Sequence, residues 1–169
     1  MRNLNSKKLM ALAAALFALN ISATAFAAEI NAADAKAVAV KVVPASAEYV
    51  ATENDMEDRD LDVKFYDSKA RTAYEVEVSK LTGEVREYKM ELKGYEGSPN
   101  AVLSVEDVKQ IVRKEYPDAA FKAVKLDVDK ETGLKEYDVK FSTKAVIGDY
   151  DINPENGQVV EKDISYIGN

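Results

Sequence analysis

Polar and apolar residues alternate strictly in several stretches of this chain, and each stretch predicts a strand with one wet face. Tyr74, Val76 and Val78 alternate with Glu75 and Glu77, and Val124, Leu126 and Val128 alternate with Lys125, Asp127 and Asp129. A period of two with one polar side belongs to a sheet buried on one face only. Runs of this kind predict strands at about 47–53, 60–67, 72–79 and 84–92, then at 121–128, 135–142, 146–152 and 158–166. Lys80-Leu81-Thr82-Gly83, Lys130-Glu131-Thr132-Gly133 and Pro154-Glu155-Asn156-Gly157 separate them and read as hairpin turns.

Helical spacing precedes each set of four strands. Val108, Ile111 and Val112 form an apolar stripe. Ser104 and Asp107 are spaced as a capping box, Leu103 and Val108 as a hydrophobic staple, and Tyr116-Pro117 ends the run. The earlier copy has Asn31 and Asp34 as caps, a stripe of Ala35, Val38 and Val42, and a stop at Val43-Pro44.

The whole unit is therefore written twice, from Ile30 to Gly94 and from Leu103 to Gly168. Asp34, Lys36, Lys41, Pro44 and Ala47 fall on Asp107, Lys109, Lys114, Pro117 and Ala120 without a gap as far as Asn54. Asp62-Val63-Lys64-Phe65 recurs as Asp138-Val139-Lys140-Phe141, and Gly83, Val85, Glu87 and Gly94 recur as Gly157, Val159, Glu161 and Gly168. A duplication sets the architecture before any chemistry is considered. The expected class is α+β: two tandem repeats, each an N-terminal helix packed on a four-stranded antiparallel meander sheet. The first covers 28–94 and the second 103–169, joined by a linker over 95–102 that contains Glu96-Gly97-Ser98-Pro99-Asn100. Val63, Phe65, Val139 and Phe141 are expected to face the helix of their own unit. Tyr74, Tyr137 and Tyr150 read as core, and Tyr95 as domain packing in preference to an exposed interface.

The start of the chain changes the setting. Arg2, Lys7 and Lys8 precede the apolar run Leu9 to Leu19, and Ala25-Phe26-Ala27 is a small-x-small site. That pattern predicts a signal peptide over 1–27 cleaved before Ala28, and hence a periplasmic or secreted protein. The run is too short to span a bilayer, so no membrane insertion of the mature chain is expected, and no cysteine follows it for lipoprotein processing. The full chain has 23 basic and 30 acidic residues; without the leader 20 basic residues remain, a net charge near −10. An acidic chain argues against nucleic acid and anionic membrane as partners. Units of ~65 residues without a disulfide are small for a self-supporting core, which predicts that the copies pack on each other.

Catalytic chemistry is poorly represented. The absence of histidine removes the usual general base and most zinc sites, and the absence of cysteine removes thiol nucleophiles. Two acidic turns have the alternating oxygens of a calcium loop: Asp127, Asp129 and Glu131, and Asp151, Asn153 and Glu155. In both the glycine falls one place late, and Asp138 or Lys162 stands where the bidentate glutamate belongs, so both read as hairpins. The segment Glu53 to Asp60, with Arg59 as its one cation, reads as a solvated loop. No enzyme, cofactor or metal site is expected.

Leu103-Ser104-Val105-Glu106-Asp107-Val108, then Glu136-Tyr137-Asp138-Val139-Lys140-Phe141, then Asp149-Tyr150-Asp151-Ile152 running into Asn156-Gly157-Gln158-Val159, resembles the PepSY domain. The first copy offers Tyr74-Glu75-Val76-Glu77-Val78 and Thr82-Gly83-Glu84-Val85, and departs most in its acidic segment. The resemblance implies a non-catalytic domain of protease propeptides and small secreted proteins that inhibits, chaperones or regulates a protein outside the cytoplasm. A tandem of such units is also similar, at the level of fold, to β-lactamase-inhibitory proteins. The expectation is a binding module that docks a protein partner, such as a secreted or envelope protease, through its polar sheet faces. The candidate contacts are Asp62, Lys64, Glu75, Glu77, Asp138, Lys140, Asp149 and Asp151. A ligand or cation sensor and a structural or stress-related envelope protein are the alternatives.

Overall fold

A computed structural model of the chain describes residues 29–54 and 59–168. The expected leader and its cleavage site lie outside those residues, as do residues 55–58 of the acidic segment.

Helix α1 (Ala32–Ala39) starts where its capping residues put it. Asn31 Oδ1 accepts the N–H groups of Ala33 and Asp34, and Asp34 Oδ2 accepts that of Asn31. Helix α2 (Val105–Glu115) repeats the box with Ser104 and Asp107. Each box satisfies donors that the first turn leaves free. Helix α2 ends at Tyr116, whose position before proline disfavours helical angles.

The first repeat supplies β1 (Glu48–Glu53), β2 (Asp60–Asp67), β3 (Thr72–Ser79) and β4 (Val85–Leu92). The second supplies β5 (Ala120–Val128), β6 (Lys135–Ser142), β7 (Val146–Ile152) and β8 (Val159–Tyr166). Each set is an antiparallel meander, as the alternation predicts.

The two meanders are one sheet. Strand order is β1-β2-β3-β4-β8-β7-β6-β5, so the last strand of one repeat pairs with the last strand of the other. Glu87 lies opposite Ser165, Tyr88 opposite Ile164 and Lys89 opposite Asp163. Joining the strands satisfies two edges that would otherwise present unpaired backbone groups. It also lets two small cores share a wall. Both helices lie on the same face. Ala35 and Ala39 of α1 pack on Leu61, Val63, Phe65, Val76 and Val78, and Val108 and Val112 of α2 pack on Val139, Phe141, Tyr150 and Ile152. Tyr88 packs against both clusters. The linker is stitched to the second repeat: Ser98 exchanges backbone hydrogen bonds with Lys135, and Val102 and Leu103 both donate to the Pro154 carbonyl.

Three sequence expectations need correction. Helix α1 ends at Ala39 with Val40 as its cap, ahead of the expected stop at Val43-Pro44, and Val42 lies in the turn that follows. The apolar side of β5 is covered only in part, because Phe121 and Val124 pack against the α2 cluster while Leu126 and Val128 are 40% and 44% exposed. The gapless alignment of the copies also breaks before the first strand. Tyr49 pairs with Phe65 and Phe121 with Phe141, which equates Tyr49 with Phe121, one place short of the gapless register. The ladder shifts immediately after both residues, at Val50 and Lys122. A duplicated bulge of this kind twists the edge strand and hinders edge-to-edge pairing.

Candidate functional site

The eight candidate residues all lie on one surface, the outer face of the joined sheet. Each is offset by one residue from a buried neighbour: Asp62 and Lys64 flank Val63, Glu75 and Glu77 flank Val76, Asp138 and Lys140 flank Val139, and Asp149 and Asp151 flank Tyr150. In register they form opposed pairs: Asp62 with Glu77, Lys64 with Glu75, Asp138 with Asp151, and Lys140 with Asp149. Strands β4 and β8 fill the space between the two quartets, and sequence reasoning passed over what they carry. Glu77 faces Glu87, Glu75 faces Lys89, Lys89 faces Asp163, Asp149 faces Asp163, and Asp151 faces Glu161.

Three rows result. One holds Asp62, Glu77 and Glu87 on successive strands of the first repeat. Its counterpart in the second repeat holds Asp138, Asp151 and Glu161, and continues to Glu91. Between them runs a row of mixed sign, Lys64, Glu75, Lys89, Asp163, Asp149 and Lys140. Like charges directly opposite each other across strands are unfavourable, so both acidic rows are kept at a cost to stability.

The electrostatics follow from that crowding. Partial burial, then the charges of Glu136, Glu161, Asp149 and Asp138, push the Asp151 carboxyl up to about 7. In the first repeat partial burial, then a hydrogen bond with Asp60 and the charges of Asp60, Glu87 and Asp62, push Glu77 up to about 7. Asp163, between the rows, is raised to about 6 by burial and by Glu87. Burial also raises Asp62 and Glu136, each with neighbouring carboxylates adding to the effect. The lysines answer only part of this charge. Lys64 pairs with Glu53 at 2.6 Å and with Glu75 at 3.7 Å, Lys89 pairs with Glu87 at 2.6 Å, and Lys140 pairs with Asp149 and, at 3.4 Å, with Asp138.

Around Asp138, Asp149 and Asp151 the face opens into an acidic basin of about 290 Å³, bordered also by Asp127, Glu136, Glu161 and Asp163. These three aspartates offer carboxylate oxygens within 4.8 Å of one another, the one such group among the described residues. The Lys140 ammonium lies against Asp149 and 3.4 Å from Asp138, so one internal cation offsets part of this charge, while Asp138 Oδ1 is enclosed without a hydrogen-bond partner. The calcium-like turns are occupied in another way. Asp129 Oδ1 accepts from the Glu131 and Thr132 amides and the Thr132 hydroxyl, and Asn153 Oδ1 accepts from the Glu155 amide. Gly133 and Gly157 close these turns at φ 74° and 77°, where a side chain would be strained. Glu155 itself accepts from Ser98 Oγ and Asn100 Nδ2.

Tyr74, Tyr137 and Tyr150 are buried among the core residues. Tyr95 is half-buried, and its hydroxyl is enclosed without a hydrogen-bond partner. Burial, then the charges of Glu136 and Asp151, push that hydroxyl up to about 12. On the opposite face Lys162 and Tyr150 both donate to Glu115 Oε2, at 2.6 and 2.8 Å, and tie β8 and β7 to α2.

The PepSY family model, described as peptidase propeptide and YPEB domain, matches residues 29–92 and again 102–163. No curated protein matches the chain. Similar solved structures include a candidate lipoprotein from Clostridium difficile 630, at 17% identity over 82% of this chain and 95% of that one, with a TM-score of 0.33. A BLIP-like protein from Bacteroides fragilis NCTC 9343 is 11% identical over 83% of this chain and 90% of its own, with a TM-score of 0.30. Among the described residues no helix is long and apolar enough to cross a membrane.

Proposed function

The chain belongs to the PepSY family in two tandem copies, and from that premise we propose that it is a non-catalytic docking module that acts outside the cytoplasm. Its outer sheet face binds a basic surface on a protein partner, and a secreted or envelope peptidase is the first partner to test. The observation that carries this reading is the joining of β4 to β8. That pairing brings the polar residues of both repeats onto one continuous surface with two acidic rows. Such a face attracts a basic partner at long range and sets its orientation, while a few central contacts supply the affinity. Obstruction of the partner's own surface is then sufficient for regulation, and no chemistry is required of this chain. The leader pattern and the acidic composition suit a protein exported to meet its partner.

The mature chain, immobilised and exposed to the envelope fraction of its source cell, tests the reading. Retained proteins are identified by mass spectrometry and assayed for peptidase activity with and without the chain. A basic-faced partner retained at 50 mM salt and released at higher salt is the expected result. Retention that does not respond to salt, or that survives neutralisation of both acidic rows, refutes the outer face as the docking surface.

A further inference from the structure

The two repeats differ on the outer face at several places, and one of these differences opens a groove. Tyr66 lies opposite Ala73 in the first repeat, and at the equivalent places Ser142 lies opposite Ile147 in the second. Ile147 stands 48% exposed and carries a branched side chain there. Ala73 is short, and the longer side chains of Tyr66, Lys64, Glu75 and Glu91 stand around it. The open groove that results has a volume of about 630 Å³. Phe65, Tyr74 and Met90 also line it, and because their side chains pack toward α1, their backbones form its floor. Val50, 60% exposed at the bulge of β1, and Tyr66, 37% exposed, give it apolar walls. Glu161 and Asp163 border both this groove and the acidic basin, so the two are continuous.

We infer that the groove over Ala73 receives an apolar side chain from a partner segment whose next basic residues lie in the acidic basin. This rests on the docking reading above and adds the form of the partner's contact. The spacing follows from the strand order. Glu161 is two strands from Ala73 and Asp151 is three, which is about 10 and 14 Å at the usual strand separation. An extended segment crossing the strands advances about 3.3 Å per residue. The partner segment therefore reads apolar-x-x-basic-basic, in which the fifth residue shares the apolar residue's face of the extended chain and the long fourth side chain reaches Glu161 from its edge. Charge complementarity selects the basic residues, and the short side chain of Ala73 selects the apolar one.

The probe is the peptide acetyl-Leu-Ser-Ser-Lys-Arg-amide, titrated into the mature chain at low salt and followed by amide chemical shifts. Its Ala-Ser-Ser-Lys-Arg analogue is the comparison. The expected result is movement at Ala73, Glu91, Glu161 and Asp151, with the Leu peptide about tenfold tighter than the Ala peptide from the extra apolar area it buries. Ala73→Ile should erase that tenfold difference. The fold already holds Ile147 at the matching place, so the variant fills the groove without a new demand on packing. Tyr66→Ser, which imports Ser142 from the second repeat, removes a wall and should weaken the Leu peptide alone. Equal affinity of the two peptides, with shifts in the basin, overturns the groove and leaves the docking reading standing. Failure of either peptide to move Glu161 and Asp151 overturns the docking reading, and the groove with it.

Discussion

Truncation of Phe141 probes the core and the sheet together. Phe141 is fully buried, and its ring meets those of Tyr116 at 5.0 Å, Tyr150 at 5.4 Å and Phe121 at 6.4 Å between centroids. Across the ladder it lies over Gly148, so closely that a Cβ there would come within 2.2 Å of the ring. Removing a buried phenyl ring costs about 3–5 kcal/mol, and three lost aromatic partners put Phe141→Ala toward the upper part of that range. A protein of this size has about 5–15 kcal/mol in all. Lys140→Ala, one residue away, removes an exposed ammonium from surface ion pairs and should change stability by less than about 1 kcal/mol. Urea melts followed by circular dichroism and by tyrosine fluorescence measure both. The pairing of β4 with β8 and the shared packing of Tyr88 require one transition that moves as a whole in Phe141→Ala. Equal costs for the two substitutions would refute the strand facing. A biphasic melt with the first repeat unchanged would refute the coupling of the two repeats.

Other outcomes test other parts of the account. The raised Asp151 carboxyl favours its protonated form in the folded state, so its contribution is favourable at low pH and is lost as pH rises from its ordinary range through about 7. Asp151→Asn should therefore stabilise the protein more at pH 8 than at pH 4.5, and chemical melts at the two pH values read the difference directly. A basic partner favours the ionised rows, so binding should release protons near pH 7 and tighten between pH 5.5 and 8; calorimetry in buffers of different ionisation heat gives the count, and zero release contradicts the role of the rows. Calcium should bind the chelated protein no tighter than millimolar, since Lys140 lies against Asp138 and Asp149 and the turn oxygens are already bonded; micromolar binding lost in Asp151→Ala would restore the sensor reading. Lys162→Ala strands Glu115 beside Tyr150 and should cost about 3 kcal/mol, while Lys162→Met with Glu115→Leu should cost less, a comparison a double-mutant melt decides.

Local signals carried most of the fold. The capping pairs Asn31 with Asp34 and Ser104 with Asp107 mark both helix starts, because a cap is a contact within four residues. Strands 60–67, 72–79, 135–142 and 146–152 were legible to the residue, because one face is dry and the other wet. What stayed hidden depends on register between distant segments. No pattern within β4 or β8 says that Glu87 will meet Ser165, since any alternating strand offers the same edge. For that reason Glu87, Glu161, Asp163 and Lys89 were not among the candidate contacts, although they connect the two halves that were. The extra residue at Val50 and at Lys122 was missed for the same reason, as a bulge is defined by its partner strand. Ala73 carries no chemical signal at all. Its place in the groove comes from the length of its neighbours, and only the comparison with Ile147 across the duplication draws attention to it.

The affinity of the row-neutralised chain for the captured partner tests the central claim most directly. The triple variant Asp138→Asn, Asp151→Asn, Glu161→Gln removes the acidic row of the second repeat while keeping the side-chain shapes. The change should leave the melt no lower than that of the parent chain, because it relieves opposed like charges. Measured by calorimetry at 50 mM and 200 mM salt, its binding should fall at least tenfold at the lower salt, and its salt dependence should be shallower than that of the parent. Binding of the triple variant with unchanged affinity and unchanged salt dependence would contradict the assignment of the outer face as the docking surface.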